Sequence, residues 1–233
     1  MEAHKLAGAS KILREKLQEV VAEGPEKTGG FGFHMWACLV DRDNRVVCMV
    51  YSGPTRDSQM PVGRVIAAQK AHTANCLSQK VFSVSSCNMY AASQPGAPLW
   101  GYGETHPIDT SVAYGGDVDK YGQGEEDPMV GKRMGGMCMF GGGLSLYDEN
   151  GDCVGGLGLS GDSCVSDHII AWKLRNKLML DYVPAGPSPT GDDNMANDFE
   201  EGKSKSGWGH PETSPLAKEI VASLPTIHPI SKK

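Results

Sequence analysis

The sequence predicts an α+β domain built on an antiparallel sheet. Three observations point there. Two apolar runs flank a polar turn at 33–51, a second pair flanks an Asn-Gly turn at 137–159, and helix-period stripes precede, separate and follow these hairpins. A chain of 233 residues is long enough for one such domain plus an appendage.

Taken in order, residues 4–23 carry the first helical stripe. Leu6, Leu13, Leu17 and Val20 recur at three- and four-residue spacing, Ile12 and Val21 widen the stripe, and Gly24-Pro25 ends it. The run FHMWACLV at 33–40 reads as a buried strand, DRDN at 41–44 as a turn, and RVVCMVY at 45–51 as the returning strand. A second helix is predicted over 61–79, with Pro61 in its first turn and Val62, Val65, Ile66, Gln69, Thr73 and Leu77 along one face. Residues 94–136 are glycine-rich and aperiodic, and 108–135 reads as an exposed insertion. Residues 137–140 with 144–147 form one further strand stretch and 153–159 the next. The turn DENG at 148–151 joins them, because Asn-Gly favours positive φ. A third helix is expected over 165–180, with Asp162 or Ser163 as its N-cap. Residues 1–183 are therefore read as the domain and 184–233 as an extended tail rich in Pro and Gly, with a short amphipathic piece at 216–224. That tail is either disordered or an arm that wraps a neighbouring subunit through Trp208.

Composition excludes several classes. The formal net charge is −6 with no long basic run, which argues against nucleic-acid binding. No apolar stretch approaches membrane-spanning length, and the N-terminus lacks the apolar core of a secretory signal. Seven cysteines, an odd number with no C-x-x-C pair, fit neither a disulfide framework nor a zinc site. They read as mostly buried thiols of a cytoplasmic protein.

Gly156-Leu-Gly158-Leu-Ser-Gly161 is a literal G-x-G-x-x-G, with Asp181 about twenty residues on, as a dinucleotide fold requires. Three features oppose that reading. The motif comes too late for further βα units, the strand before it is the return arm of a hairpin, and a helix fills the space up to Asp181. The alternative is a glycine-lined strand end that allows close packing and leaves backbone N–H groups at a helix start.

The blocks in sequence are the hairpin WACLVDRDNRVVCMVYSG, the helix PVGRVIAAQKAHTANCLSQ, the loop QPGAPLWG, and GGGLSLYDENGDCVGGLGLSGDSCVSDHIIAWKL. Together they resemble the haem-degrading, GlcG-like family, which includes HbpS-like proteins and PduO C-terminal domains. The VGGLGLSG segment at 154–161, with Asp167 downstream, carries most of the likeness. It runs from about residue 4 to 180. Ser145 stands where the family usually has proline, Asp162 replaces a glycine, and the insertion and tail have no counterpart. The resemblance implies a profilin-like fold, an antiparallel sheet flanked by helices, self-association into a homo-oligomer, and binding of haem or another tetrapyrrole.

Candidate site residues follow. Lys70 and Thr73 share a helix face, whereas His72 points elsewhere. Lys70 could hold a propionate or carboxylate. His72 reads as an axial metal ligand, a general base, or a histidine satisfied in a subunit contact. Glu104 and His106, two apart in GYGETHP, could project together into a pocket for acid–base work. Gly142, Gly143, Leu144, Ser160, Gly161 and Asp167 gather at a strand-to-helix corner suited to a carboxylate. The expected function is small-molecule binding, of haem, a tetrapyrrole or a carboxylated metabolite. The pocket would lie between the 61–79 helix, the QPG loop and the GGG strand at a subunit interface. The alternative is a cofactor-independent catabolic or biosynthetic enzyme using His72, Glu104 or His106 in the same pocket.

Overall fold

The computed structural model describes Leu6 and residues 8–232; positions 4, 5 and 7 of the first predicted helix lie outside the described residues. Helix α1 spans Ser10–Val21 and buries Leu13, Leu17 and Val20. Strands β1 (Trp36–Asp41) and β2 (Val46–Tyr51) form the first hairpin, followed by helix α2 (Gly63–Leu77). After a long irregular stretch come the short strand β3 (Gln123–Gly124), the second hairpin β4 (Gly143–Tyr147) and β5 (Cys153–Ser160), and helix α3 (Cys164–Lys177). A two-residue hairpin, β6 (Phe199–Glu200) and β7 (Lys203–Ser204), and helix α4 (Pro215–Ile227) complete the chain.

The main sheet has the order β3-β2-β1-β5-β4 and every pairing in it is antiparallel. The fold is α+β. Both faces of the sheet are covered, which explains why its strands are apolar runs rather than alternating ones. Ala37, Leu39, Cys48, Val50, Leu144, Leu157 and Leu159 pack on one side with α1, α3 and α4. Trp36, Cys38, Val40, Met49 and Tyr51 pack on the other with α2 and residues of the 108–135 region. The alternation follows from the period-two geometry of strands.

Three local readings change. Of the stripe Val62, Val65, Ile66, Gln69 and Thr73, Val65 alone joins the core cluster on this face of the sheet. The sheet-facing side of α2 is small: a methyl added at Gly156 or Gly158 would meet the backbone carbonyls of Ala71 and Ala67. Alanine opposite glycine lets the helix backbone approach closely, a packing that no hydrophobic stripe announces. Residues 137–140 lie outside β4; the Cys138 N–H donates to Thr73 Oγ1 (2.9 Å) instead of joining a ladder. The 108–135 region is not simply exposed. Ala113, Asp127, Met129 and Met134 are buried, because Arg64 on α2 draws Asp127 into an ion pair beneath them.

Residues beyond 183 pack on the same chain. The Asp193 carboxylate accepts two hydrogen bonds from Arg175, each 2.7 Å, and one from Ser83 Oγ, also 2.7 Å. Ala217, Val221 and Leu224 of α4 enter the main core, and Trp208 lies edge-on to Phe82. No helix among the described residues is long and apolar enough to cross a membrane.

Candidate functional site

The predicted corner is where β5 turns into α3. Ser163 caps α3, its hydroxyl accepting from the Ser166 N–H. Asp162 accepts instead from the N–H groups of Phe31 and Phe33. Gly143 donates its N–H to Ser86 Oγ (2.8 Å), and Leu144 and Gly161 are buried with it. Lys70 and Asp167 meet here: Nζ lies 2.6 Å from Oδ2, and both side chains are at most 3% exposed. The Asp162 N–H donates to the other Asp167 oxygen at 3.0 Å. The anion at this helix start is thus the protein's own carboxylate. Burial pushes Asp167 up to about 6, with Lys70 pulling the other way. Burial of Lys70 is outweighed by the charge of Asp167, which holds the ammonium protonated.

A cleft of about 400 Å³ opens beside this corner. It is lined by Ile66 and Gln69 of α2, Tyr90, the 100–104 segment with Trp100, Tyr102 and Glu104, and Met137, Cys138, Met139 and Phe140. The aberrant α2 stripe explains its position, since Ile66 and Gln69 face the cleft and Thr73 anchors Cys138. Burial pushes the Cys138 thiol up, partly offset by the charge of Lys70.

Of the predicted residues, Glu104 lines this cleft and Thr73 supports its wall. Lys70, Gly142, Gly143, Leu144, Ser160, Gly161 and Asp167 do not line it. Lys70 is not free for a ligand's carboxylate, because a partner 97 residues away in the chain takes its charge. Glu104 and His106 do not project together. His106 turns back, with Nδ1 3.0 Å from the Tyr102 carbonyl and its ring 4.6 Å from the Tyr102 ring. His72 lies outside the lining, with Nε2 3.5 Å from Cys76 Sγ. Burial, then the neighbouring His106, lowers its pKa. No group of three metal-ligating side chains occurs among the described residues.

Sequence reasoning missed the residues that do line the cleft. The signal was present in CNMY at 87–90 and GMCMF at 136–140, where large apolar side chains sit in irregular chain. It also missed His210. That ring is fully buried and lies 4.9 Å from the Tyr90 ring. Nδ1 is 2.7 Å from the Pro211 carbonyl, while Nε2 has no partner among the described residues. Burial pushes it down to about 4. A donated Nδ1–H leaves Nε2 as an unused lone pair behind the cleft wall.

The family model for the haem-degrading protein HbpS-like family matches residues 12–174. Among solved structures, a haem complex of PduOC is 20% identical, with 76% of this chain and 94% of that chain covered and a TM-score of 0.46. Klebsiella pneumoniae protein ORFY is 19% identical over 71% of this chain and 87% of that one, at a TM-score of 0.46. A double mutant of Streptomyces reticuli HbpS is 17% identical over 70% and 82%, at 0.38. No curated protein matches significantly. On the family match, which spans well over half of the sequence, the chain belongs to the HbpS-like haem-degrading family.

Proposed function

We propose that this member of the HbpS-like haem-degrading family binds haem or a related tetrapyrrole in the cleft between α2, the 90–104 segment and 137–140. The observation that carries the reading is the cleft's donor set. Aromatic walls (Tyr90, Trp100, Tyr102, Phe140) suit a flat apolar macrocycle, and Met137, Met139, Cys138 and the two tyrosines are all residue types that ligate haem iron. The unused Nε2 of His210 behind Tyr90 adds a further donor close by. Glu104 is the charged group in the lining, so propionates would stay at the open mouth. Bound haem would supply a redox-active iron; the chain's own residues bind its ring and exclude water from one side. Trp100 and Phe140 stand at the rim, 61% and 49% exposed, and suit a second copy of the chain closing over it.

Titration with haemin, followed in the Soret region, tests this. A saturable band is expected, weakened at least about tenfold in Tyr102→Ala combined with Met139→Ala. His72→Ala is expected to leave it intact. No saturable band, or a band lost in His72→Ala and retained in the cleft variant, would overturn the reading.

A further inference from the structure

We propose that a second cavity, separate from the cleft, is a binding site for an uncharged aromatic or alicyclic molecule. It encloses about 530 Å³ and is lined by Trp36, Pro61, Val62, Val65, Tyr114, Val118, Tyr121 and the side chains of Arg56, Asp57 and Arg64. A space of this size accommodates a drug-sized guest.

Its walls are fixed. Trp36 is 1% exposed and its Nε1–H donates to the Met60 carbonyl at 2.9 Å. The Tyr121 hydroxyl donates to the Tyr114 carbonyl at 2.9 Å, and the Arg64 guanidinium covers the Tyr121 ring 3.6 Å from its centre. Little ordering is left for a guest to impose, which favours binding.

The charges in the lining are already matched. Arg64 pairs with buried Asp127 and donates to the Ala113 carbonyl. Arg56 donates to Asp57 at 3.2 Å and to the Val118 carbonyl at 2.7 Å. An anion would displace Asp57 from Arg56, and a cation would lie beside two guanidinium groups. An uncharged guest meets neither cost. Apolar surface is nevertheless left open at this rim: Val62, Tyr114 and Val118 are 53%, 59% and 52% exposed. Covering it against aromatic walls is favourable. Tyr114, Val118 and Tyr121 come from the 108–135 region and no lining residue is shared with the cleft, so this site does not depend on the haem reading.

Nile red, an uncharged fluorophore, is the probe, with naphthol and naphthoate as competitors on the full chain. Naphthol is expected to displace it at least about tenfold more effectively than naphthoate. Val118→Asp puts a carboxylate at an exposed point of the apolar rim and is expected to weaken probe binding by a similar factor. Tyr102→Ala, in the cleft, is expected to leave probe binding unchanged. The proposal fails if naphthoate competes as well as naphthol. It also fails if the probe is lost in Tyr102→Ala but not in Val118→Asp, or if Val118→Asp alters only the sedimentation of the protein, which would make the face a contact between copies.

Discussion

The corner around β5 and the chain beside the cleft both contain glycines, yet these glycines do opposite things. At Gly156 and Gly158 an added methyl would strike the backbone of α2. At Gly96 and Gly103 it would meet nothing within 4 Å. The first pair lets a helix lie directly on a sheet. The second pair belongs to a segment that stands away from its neighbours and leaves a cleft. Charge follows the same division. The corner seals Lys70 against Asp167, whereas the cleft keeps Glu104 in its lining. Glycine content alone therefore locates a region of unusual backbone without saying whether it is shut or open.

The comparison can be broken most forcefully at the ion pair. Asp167→Ala leaves a buried, uncompensated ammonium and is expected to cost about 3–5 kcal/mol by denaturant unfolding. Lys70→Met together with Asp167→Leu is expected to recover most of that. A double variant no more stable than Asp167→Ala would mean that the pair does not act as a closed unit. Next in size is Gly158→Ala, where the added methyl meets the Ala67 carbonyl and is expected to cost about 3 kcal/mol. A loss below about 1 kcal/mol would show that α2 can retreat from the sheet.

The pH dependence probes the boundary between the two regions. Burial holds His168 and His210 down to about 4, against an ordinary 6.5. As the pH falls below 6.5, the unfolded chain takes up protons that the folded chain refuses. Stability is therefore full above that value and falls towards pH 4. Asp167, raised from 3.8 to about 6, acts in the opposite sense within the lower part of this window, but two histidines outweigh one carboxyl. Thermal unfolding between pH 7 and 4.5 should show a falling Tm, and in His210→Phe the slope below about pH 6 should nearly vanish, because one histidine and Asp167 then oppose each other. A flat profile would mean that these rings reach solvent. The smallest effects belong to the uncrowded glycines Gly96 and Gly103. Gly96→Ala, at φ 80°, is expected to cost about 1 kcal/mol for its left-handed backbone. Gly103→Ala should stay within about 0.5 kcal/mol. A large loss at Gly103 would show that the open segment is packed after all.

Much of the fold was legible because it is local. The Asn-Gly turn at 150–151 pins one hairpin and the polar DRDN turn the other, and Leu13, Leu17 and Val20 mark the buried side of α1. The site was legible only as a neighbourhood. Glu104 and the α2 side of the cleft were named, but Tyr90, Met139 and Phe140 were not, since large apolar residues in irregular chain carry no period. The α2 stripe misled for a related reason. Hydrophobic residues that line cavities have the same spacing as residues that face a core.

What the sequence determined by itself is the set of elements and the two hairpins, because alternation, helical period and turn chemistry act between residues a few positions apart. The tertiary structure alone decided which glycines are crowded, which cation is spent, and where space remains. Lys70 and Asp167 are 97 positions apart, and Arg64 and Asp127 are 63 apart. Burial and charge pairing depend on the neighbours that folding brings together, and no local pattern encodes those neighbours.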